Sequence, residues 1–506
     1  MMQNLAKNYY IVSFIWGAFS KIIGAVVKVI TVPLLLHYFG KDMNAIIALV
    51  FSINGYLQLL DMGINTGSVK YFSEWIAKGR FDLIDSVART SVTFYGVVGI
   101  ANAVFLVLLA LFGLSVFSIT ADQQVIMGRL LVILAFFTVV NWSTSIYNQL
   151  LTANEQLDYI QKVNIIRSIL ELILTIAVIS LGFDIITYFL CYLIINSLVL
   201  FPLYFRCRRS GLVASFYPAT NWKQFGIIFK YSMAIMVMAL FQLSAVKLRP
   251  IVLSIFTTSG IQIVSDFQVM ETITMFTISI GSMLTTIFLP KASKLILETE
   301  PSKLTSFAYK ATTYSSIICV VLCVPLILSV KELILIYVGP DYLHLMPWLS
   351  LWIIAILCSL HNSPIASLVL ATGKTKMLVY SSGIACVISL AVNAFYCSEL
   401  GAGSAVLGYA IYVLIQMSFY YLYFNTAVLK LQSWKVFKSF IVPAAIGIIV
   451  AVIVGLMNFQ FSNLLFLIVI KSALWMVLFL SMLVLFKVIP IQNIRELRAR
   501  ASLSSQ

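Results

Sequence analysis

The chain has 506 residues, of which 61% are hydrophobic and only 10% are charged. Soluble domains carry about 25% charged residues, so this composition excludes an ordinary water-soluble protein and favours the bilayer as the solvent. The formal net charge of +15 would suit nucleic acid, but the basic residues flank long apolar segments, which excludes that interpretation. These segments are too long and too uniform for the alternating strands of a transmembrane barrel, so they predict membrane-spanning α-helices.

Fourteen apolar segments follow one another along the chain, and each is long enough to cross a bilayer as a helix. They are predicted at residues 11–36, 43–63, 90–116, 128–151, 159–181, 185–205, 228–255, 261–289, 311–330, 345–371, 376–397, 402–424, 436–457 and 463–486. The second and the fourth contain the most polar residues. The N-terminus lacks the pattern of a cleaved signal peptide, so we expect the first segment to remain in the mature protein.

The connections between these segments carry a strongly asymmetric charge. If the N-terminus is cytoplasmic, 23 lysines and arginines flank cytoplasmic helix ends, and only Lys41, Arg129 and Lys331 lie on the other side. Lysine and arginine are enriched in the cytoplasmic loops of membrane proteins. The asymmetry therefore predicts an even number of spans with both termini in the cytoplasm.

The basic connections also divide the chain into parts. Six predicted helices precede a basic linker and six follow it, and a final helix pair comes after a second basic connection. We therefore predict an all-α polytopic membrane protein with a six-helix lobe at 1–206, a linker at 207–227, a second six-helix lobe at 228–426, helices 13 and 14 within 427–490, and a cytoplasmic tail at 491–506. Repeated halves around a site at mid-membrane are a common plan of transporters.

The first predicted helix carries the most informative polar pattern. Lys21 and Lys28 share one face with small and polar residues, whereas the opposite face is apolar. An ionisable side chain at the bilayer centre costs about 2.5–3.5 kcal/mol on insertion scales, so such residues usually face protein or water. A tight contact between helices would explain the glycines of this face but not its two lysines. We therefore favour a water-filled cavity beside this helix.

Polar residues in the second and seventh predicted helices are further candidates for this cavity. The candidates are Asn54, Gln58, Gln242, Lys247 and Arg249. In a regular helix Gln242 and Arg249 share a face from which Lys247 is turned by about 140°. A bend at the following proline would change this angle.

Four residues are candidates for ion coupling or for charge pairs inside the membrane. Asp61 shares a face with the polar residues of the second helix. Arg167 and Glu171 are four residues apart, so they can form an ion pair, which would serve either structure or function. Glu271 lies deep in the eighth helix, where it would neutralise a cation of the seventh helix or take up a coupling proton.

Sequence patterns of catalysis and of cofactor binding are absent. The seven cysteines and three histidines show no metal-ligand spacing, and no glycine-rich phosphate loop followed by Lys-Ser/Thr occurs. The connections are also too short for a catalytic domain. We therefore expect no enzyme activity, no catalytic residue, no metal and no cofactor.

Five motifs resemble those of the polysaccharide-biosynthesis flippases, which belong to the multidrug/oligosaccharidyl-lipid/polysaccharide exporter superfamily. They are VPLLLHYFG, LLDMGINTGSVKYFSEW, IFLPKASKL, LIYVGPDY and LVLATGKTKM, in the expected order over nearly the whole chain. The resemblance implies two six-helix lobes that open a central cavity alternately to each side. It also implies a substrate in which an oligosaccharide is linked through pyrophosphate to a polyprenyl lipid, for the synthesis of O-antigen, capsule or exopolysaccharide.

The resemblance further implies roles and partners. Basic cavity residues of the family typically bind the pyrophosphate or acidic sugars; Lys21, Lys28 and Arg249 match this role by helix and face, and Lys247 matches it by helix alone. Ion-driven transport implies H⁺ or Na⁺ as a coupling partner. The expected location is the bacterial cytoplasmic membrane, with the lipid-linked substrate, membrane lipids and polysaccharide polymerase proteins as partners, and with no nucleic acid.

Three alternatives stay open. A cation-coupled drug exporter of the same fold mostly carries organic cations, which suit an acidic, aromatic cavity better than a basic one. A lipid II-type flippase fits the fourteen predicted helices, although lysines stand here in place of the arginine-rich first helix of that branch. A membrane-embedded glycosyltransferase or polymerase usually needs a large polar loop, which this sequence lacks.

Overall fold

The computed structural model describes residues 2–215, 217–297, 300–372, 376–457, 459, 461 and 463–488. This part of the chain is almost entirely helical and contains no β-strand. The α-helices are α1 (Met2–Leu57), α2 (Leu59–Ala77), α3 (Phe81–Leu108), α4 (Ala121–Ala153), α5 (Leu157–Leu181), α6 (Ile185–Leu198), α7 (Leu200–Arg209), α8 (Trp222–Lys247), α9 (Arg249–Phe256), α10 (Gln262–Leu297), α11 (Pro301–Leu328), α12 (Val330–Tyr337), α13 (Met346–Leu360), α14 (Ser363–Ala371), α15 (Lys376–Phe395), α16 (Cys397–Leu400), α17 (Ala402–Phe419), α18 (Ser433–Gly455) and α19 (Leu464–Leu485). Short π-helical segments extend α3 and α17, at Leu109–Gly113 and Tyr420–Val428.

The predicted apolar segments all coincide with helices. Several of them are covered by two consecutive helices; the segment at 228–255, for example, corresponds to α8 and α9. Within the described residues, eleven helical stretches are long and apolar enough to cross a membrane. The chain is therefore a polytopic helical membrane protein. The count of fourteen spans and the cytoplasmic location of the termini stay predictions, and the predicted tail lies outside the described residues.

The longest helix, α1, consists of two arms that meet at Gly40. Gly40 has φ 80° and ψ 172°, a left-handed conformation that glycine adopts without the steric penalty of a Cβ atom. We call residues 2–39 the first arm and residues 41–57 the second arm. The second predicted segment, 43–63, was wrong as a single helix, because α1 ends at Leu57 and α2 begins two residues later.

The chain forms two compact units. The first unit contains residues 1–276 and 378–408, and the second contains residues 277–377 and 409–506. In the first unit α3 packs along α4, α2 along α8, and α1 along α5; in the second unit α11 packs along α18. Small residues permit these close approaches, since a Cβ at Gly99 in α3 would lie 3.0 Å from the Cα of Val139 in α4. The predicted lobe boundaries stay a prediction.

The basic linker between α7 and α8 is shorter than the predicted 207–227, because α7 continues to Arg209 and α8 begins at Trp222. Its backbone is held by side chains of α3. The amide of Ala214 donates to the carboxylate of Asp85 at 2.7 Å, and Arg89 Nε donates to the carbonyl of Tyr217 at 2.6 Å. These bonds fix the linker against the first unit. The basic residues of the predicted linker region lie in the flanking helices, with Arg208 and Arg209 at the end of α7 and Lys223 at the start of α8.

Candidate substrate cavity

A cavity of about 400 Å³ lies inside the first unit. It is bounded by both arms of α1 and by α5, α6, α8, α9 and α10. Six of the predicted site residues contribute to its wall, namely Lys28, Asn54, Gln58, Glu171, Lys247 and Glu271. Polar residues from five separate predicted helices therefore meet at one place.

Four predicted site residues are absent from the described wall, and the structure does not describe the side chain of a fifth. Lys21, Arg167, Gln242 and Arg249 are absent from the described lining of the cavity. The side chain of Asp61 lies outside the described residues. Gln242 is exposed, and its amide donates to Ser382 Oγ of α15 at 3.5 Å. The cavity is thus built from a subset of the predicted residues.

The cavity exists because α1 folds back on itself. Lys28 of the first arm and Asn54 of the second arm would lie about 39 Å apart on one straight helix, at a rise of 1.5 Å per residue. Both line the same small cavity, so the chain reverses direction between them at Gly40. One glycine therefore brings the lysine face of the first arm opposite the amides of the second.

Lys28 is the central cation of this cavity. Its side chain is exposed, whereas its neighbours Val27 and Thr31 are only 6% and 9% exposed. Since Lys28 lines the cavity, this exposed surface faces the cavity rather than a packed helix. One turn earlier the same face of α1 packs, because a Cβ at Gly24 would lie 3.8 Å from Ser168 Oγ of α5. The polar face is thus a helix contact at Gly24 and a cavity wall at Lys28.

The positions of Lys247 and Arg249 are the reverse of the sequence expectation. Lys247 lines the cavity, and its aliphatic carbons lie 3.6–3.8 Å from where a Cβ on Gly55 would stand. Arg249 is 2% exposed, and its carbonyl accepts a hydrogen bond from Asn393 at 3.3 Å. The helix is interrupted at Leu248, between α8 and α9. Lys247 and Arg249 nevertheless lie on different sides, as a regular helix would place them, and the side that faces the cavity is that of Lys247.

Arg167 and Glu171 form the ion pair that their spacing predicts. Arg167 Nε lies 3.6 Å from Glu171 Oε1. Asn196 of α6 bridges the pair, because its Nδ2 donates to Glu171 Oε1 at 3.1 Å and its Oδ1 accepts from Arg167 Nη1 at 3.4 Å. The sequence analysis missed Asn196, although an asparagine in the apolar run of α6 was a visible signal. Glu171 of the cavity wall is therefore already paired with Arg167.

The charges in the cavity wall are nearly balanced. Two lysines, Lys28 and Lys247, stand against two glutamates, Glu171 and Glu271. All three of the other charged wall residues, together with Arg167, are close enough to Lys28 to interact with it electrostatically. Because Arg167 already pairs with Glu171, Glu271 alone opposes the two lysines. Both glutamates are charge-pair candidates of the sequence analysis, so the wall is less basic than its lysines alone would indicate.

Asn44 ties the second arm of α1 to α10. Its amide nitrogen donates to Ser265 Oγ and to Gln268 Oε1, each at 2.9 Å, and its side chain is 1% exposed. Gln268 also lines the cavity. The sequence analysis missed Asn44, which lies near the end of the predicted helix and showed no periodic pattern. These two bonds hold α10 against the second arm beside the cavity.

Metal binding finds no support in the described residues, where no group of three His, Cys, Asp or Glu side chains comes together. The wall of the cavity instead offers amides, hydroxyls, aromatic rings and paired charges. Such groups bind and release a polar ligand without covalent chemistry.

Comparison with known proteins identifies the architecture. No family model matches the chain, and no curated protein matches it by sequence. The structure of the lipid II flippase MurJ in an inward closed conformation aligns with a TM-score of 0.70 at 14% identity, over 93% of this chain and 98% of that one. The chain has the fold of this flippase. The MOP-type helical fold implied by the sequence motifs is thereby supported, and its division into two six-helix lobes stays a prediction.

Transporters of the MOP superfamily share the same fold. An inward-facing multidrug resistance MATE transporter aligns with a TM-score of 0.62 at 13% identity, over 83% of this chain and 98% of that chain. A MOP superfamily transporter from Pyrococcus furiosus Vc1, described as having a binding pocket of reverse polarity, aligns with a TM-score of 0.61 at 13% identity, over 83% of this chain and 96% of that chain. The fold is therefore common to proteins that carry different substrates.

Proposed function

We propose that this protein is a flippase that moves polyprenyl-pyrophosphate-linked oligosaccharide units across the bacterial cytoplasmic membrane by alternating access, for the synthesis of a cell-surface polysaccharide. The observation that carries the proposal is the pair of lysines, Lys28 and Lys247, in the wall of a cavity within a MOP-type fold. A charge inside the membrane is expensive, so two lysines in the wall of one cavity favour an anionic ligand.

The lysines match the chemistry of a pyrophosphate. Each ammonium group offers three rotatable donors, and attraction to an anion is stronger in a confined cavity than at a surface exposed to water. Asn54 and Gln58 supply amide donors and acceptors for sugar hydroxyls, and Tyr192 supplies an aromatic ring beside them. The contact is shared among several side chains, which allows release as well as binding.

The volume of the cavity limits what it holds in this conformation. About 400 Å³ lies at the lower end of the range for small-ligand pockets, roughly 300–1,000 Å³. Such a volume accommodates a diphosphate with little more than one sugar. A whole repeat unit therefore requires a more open conformation, as alternating access provides, and the polyprenyl chain stays in the bilayer.

Glu271 is the candidate residue for coupling transport to an ion gradient. Of the two glutamates in the described wall, Glu171 is paired with Arg167, and Glu271 shares the cavity with Lys28 and Lys247. A pyrophosphate that binds the two lysines takes the place of this carboxylate and brings further negative charge close to it. The pyrophosphate and the Glu271 carboxylate repel each other, and a proton delivered to Glu271 would remove this repulsion. We therefore propose H⁺ as the coupling ion.

A lipid II-type flippase is the second candidate, because the MurJ structure covers more of this chain, 93%, than the MATE structure does, 83%. A cation-coupled drug exporter of the same fold is the third. The three functions predict different substrates for the purified protein.

Reconstituted vesicles test the proposal directly. We expect the protein to move a fluorescent polyprenyl-pyrophosphate oligosaccharide across the bilayer, and Lys28→Ala with Lys247→Ala to abolish this movement while the protein folds normally. Transport of lipid II alone would favour the second candidate, and export of organic cations without either lipid-linked substrate would favour the third. Both outcomes would overturn the proposal.

A further inference from the structure

A second cavity, separate from the transport cavity, lies in the second unit where α10 ends and α11 begins. It is a surface groove of about 640 Å³. Three lysines line it, Lys291 from α10 and Lys303 and Lys310 from α11, together with an aromatic floor that includes Phe288 and Phe307. The charge asymmetry of the sequence predicts that this end of the two helices faces the cytoplasm.

The groove is built from one face of each helix. On α10, Phe288, Lys291 and Leu295 follow a spacing of three and four residues; on α11, Lys303 and Lys310 are seven residues apart. Residues at these spacings lie on the same side of a helix. Two matching faces thus place cations and apolar side chains next to each other along the groove.

The lysines are only partly neutralised. Lys291 Nζ lies 5.3 Å above the ring of Phe307, which attracts a cation but carries no charge. Lys303 Nζ pairs with Glu300 Oε2 at 3.0 Å, and both side chains are more than half exposed. Lys310 is exposed, and in the described part of the chain it has no acidic partner. Two cations of the groove are therefore available to an anion.

We propose that this groove binds an anionic glycerophospholipid of the facing leaflet, with its phosphate held by Lys291 and Lys310 and an acyl chain lying over Phe288 and Phe307. Anionic lipid surfaces attract lysines with about 1 kcal/mol per residue, and a groove that also covers an acyl chain adds apolar contact. The proposal does not depend on the transport function proposed above.

The depth of the polar groups favours a glycerophospholipid over a polyprenyl phosphate. Lys303 and Lys310 are seven residues apart, which corresponds to about 10 Å along the helix axis. Ser306 lies between them and is exposed in the groove. Ser306 lies on the N-terminal, predicted cytoplasmic side of Lys310. A glycerophospholipid carries a polar head group on that side of its phosphate, which exchanges hydrogen bonds with such a hydroxyl, whereas a polyprenyl monophosphate ends at its phosphate.

Native mass spectrometry of the full-length protein, with added lipid, tests the site. We expect phosphatidylglycerol to bind with an occupancy well above that of zwitterionic phosphatidylcholine of the same acyl chains. Lys291→Gln with Lys310→Gln should lower the phosphatidylglycerol occupancy by about tenfold and leave phosphatidylcholine unchanged. The matched control is Lys435→Gln with Lys438→Gln, which removes two exposed lysines of α18 outside the groove and should have little effect.

Three results would overturn the inference. Equal loss of phosphatidylglycerol in the groove variant and in the control variant would mean that general surface charge binds the lipid. Equal binding of the two phospholipids would mean that the groove does not recognise the anion. A polyprenyl monophosphate that displaces phosphatidylglycerol at equal concentration would assign the groove to the carrier lipid. Circular dichroism of each variant confirms that it is folded, and Ser306→Ala is a milder variant if the double substitution unfolds the protein.

Discussion

Lys28 and Lys471 are both lysines inside apolar helices, but their surroundings differ. Lys28 is exposed in the cavity wall of the first unit, where several charges influence it and no described acid lies within ion-pair distance. Lys471 of α19, in the second unit, is 16% exposed in its side chain, and its Nζ lies 2.6 Å from Glu332 Oε1 of α12. The acid of that pair is 10% exposed in its side chain.

The different surroundings of the two lysines indicate a structural role for Lys471 and a ligand-binding role for Lys28. A lysine locked to one buried carboxylate has no capacity left for a ligand, so it links α12 to α19 and serves structure. A lysine that faces a cavity, and whose nearest two carboxylates are too distant to form an ion pair, can bind an anion that enters the cavity. Both residues are lysines within apolar helices, so the surroundings decide between structure and function.

The largest effect is expected at Lys28. Lys28→Glu should lower flipping by about 10- to 100-fold, because charge-assisted hydrogen bonds contribute about 1.5–3 kcal/mol each and the new carboxylate also repels the pyrophosphate. Lys28→Ala should be less harmful, and Lys28→Arg should retain part of the activity. Complementation of polysaccharide production, with membrane abundance measured in parallel, ranks the activities of the three variants.

Lys21→Ala provides the comparison for Lys28, since Lys21 occupies the same face of α1 but does not line the described cavity. We expect a smaller loss for Lys21→Ala than for Lys28→Ala. Full activity of Lys28→Ala at normal abundance would remove the first helix from the substrate site.

The second effect concerns stability rather than transport. Glu332→Ala or Lys471→Ala should destabilise the protein by about 3–5 kcal/mol, because each leaves a buried charge without its partner. Glu332→Leu with Lys471→Met should restore much of this stability, since a buried ion pair can be replaced by apolar residues at little cost. Thermal unfolding in detergent measures the difference. A double variant that is stable but does not transport would show that the pair has a functional role after all.

The third prediction tests the coupling role of Glu271. Glu271→Gln removes the charge that opposes Lys28 and Lys247, so substrate should bind more tightly and leave more slowly. We expect a lower KM, a turnover reduced by severalfold, and a flipping rate that no longer responds to an imposed proton gradient. Retention of the full response to the gradient would exclude Glu271 as the proton carrier.

The smallest effect is expected at the pair of Arg167 and Glu171. Arg167→Glu or Glu171→Arg should cost about 1 kcal/mol or more, because the side chains are partly buried and Asn196 bonds to both. The double swap should recover most of this loss. The matched control is the pair of Asp158 and Lys162 on the same helix, at 3.0 Å but more exposed, where a reversal should cost at most about 0.5 kcal/mol. A double swap no better than the single reversals would indicate separate roles.

Much of the fold was predictable because bilayer thickness sets the length of apolar segments. Every predicted segment coincides with helix, and the motifs around them indicated the MOP-type fold. The face of Lys28 was also predictable, since residues 24–35 form a regular helix whose polar residues recur at threes and fours.

The remaining details depend on which side of a helix meets its neighbours and on partners that are distant in sequence. The cavity is lined by Lys247 rather than by Arg249, and the periodicity of a single helix does not show which of its sides meets a cavity. Asn196 and Glu332 find their partners 25 and 139 residues away. A single sequence contains no signal for pairs of this kind, so their contribution to the charge balance could not be predicted.

The fold-back of α1 at Gly40 makes chain length matter more than residue identity near that glycine. One added or deleted residue between Gly40 and Asn44 would turn the second arm by about 100° relative to the first. Asn54 and Gln58 would then leave the cavity wall, and Asn44 would lose its hydrogen bonds to α10. Surface turns usually accept insertions readily. This turn instead fixes the register between the two arms. We therefore expect it to accept many substitutions but no insertion or deletion.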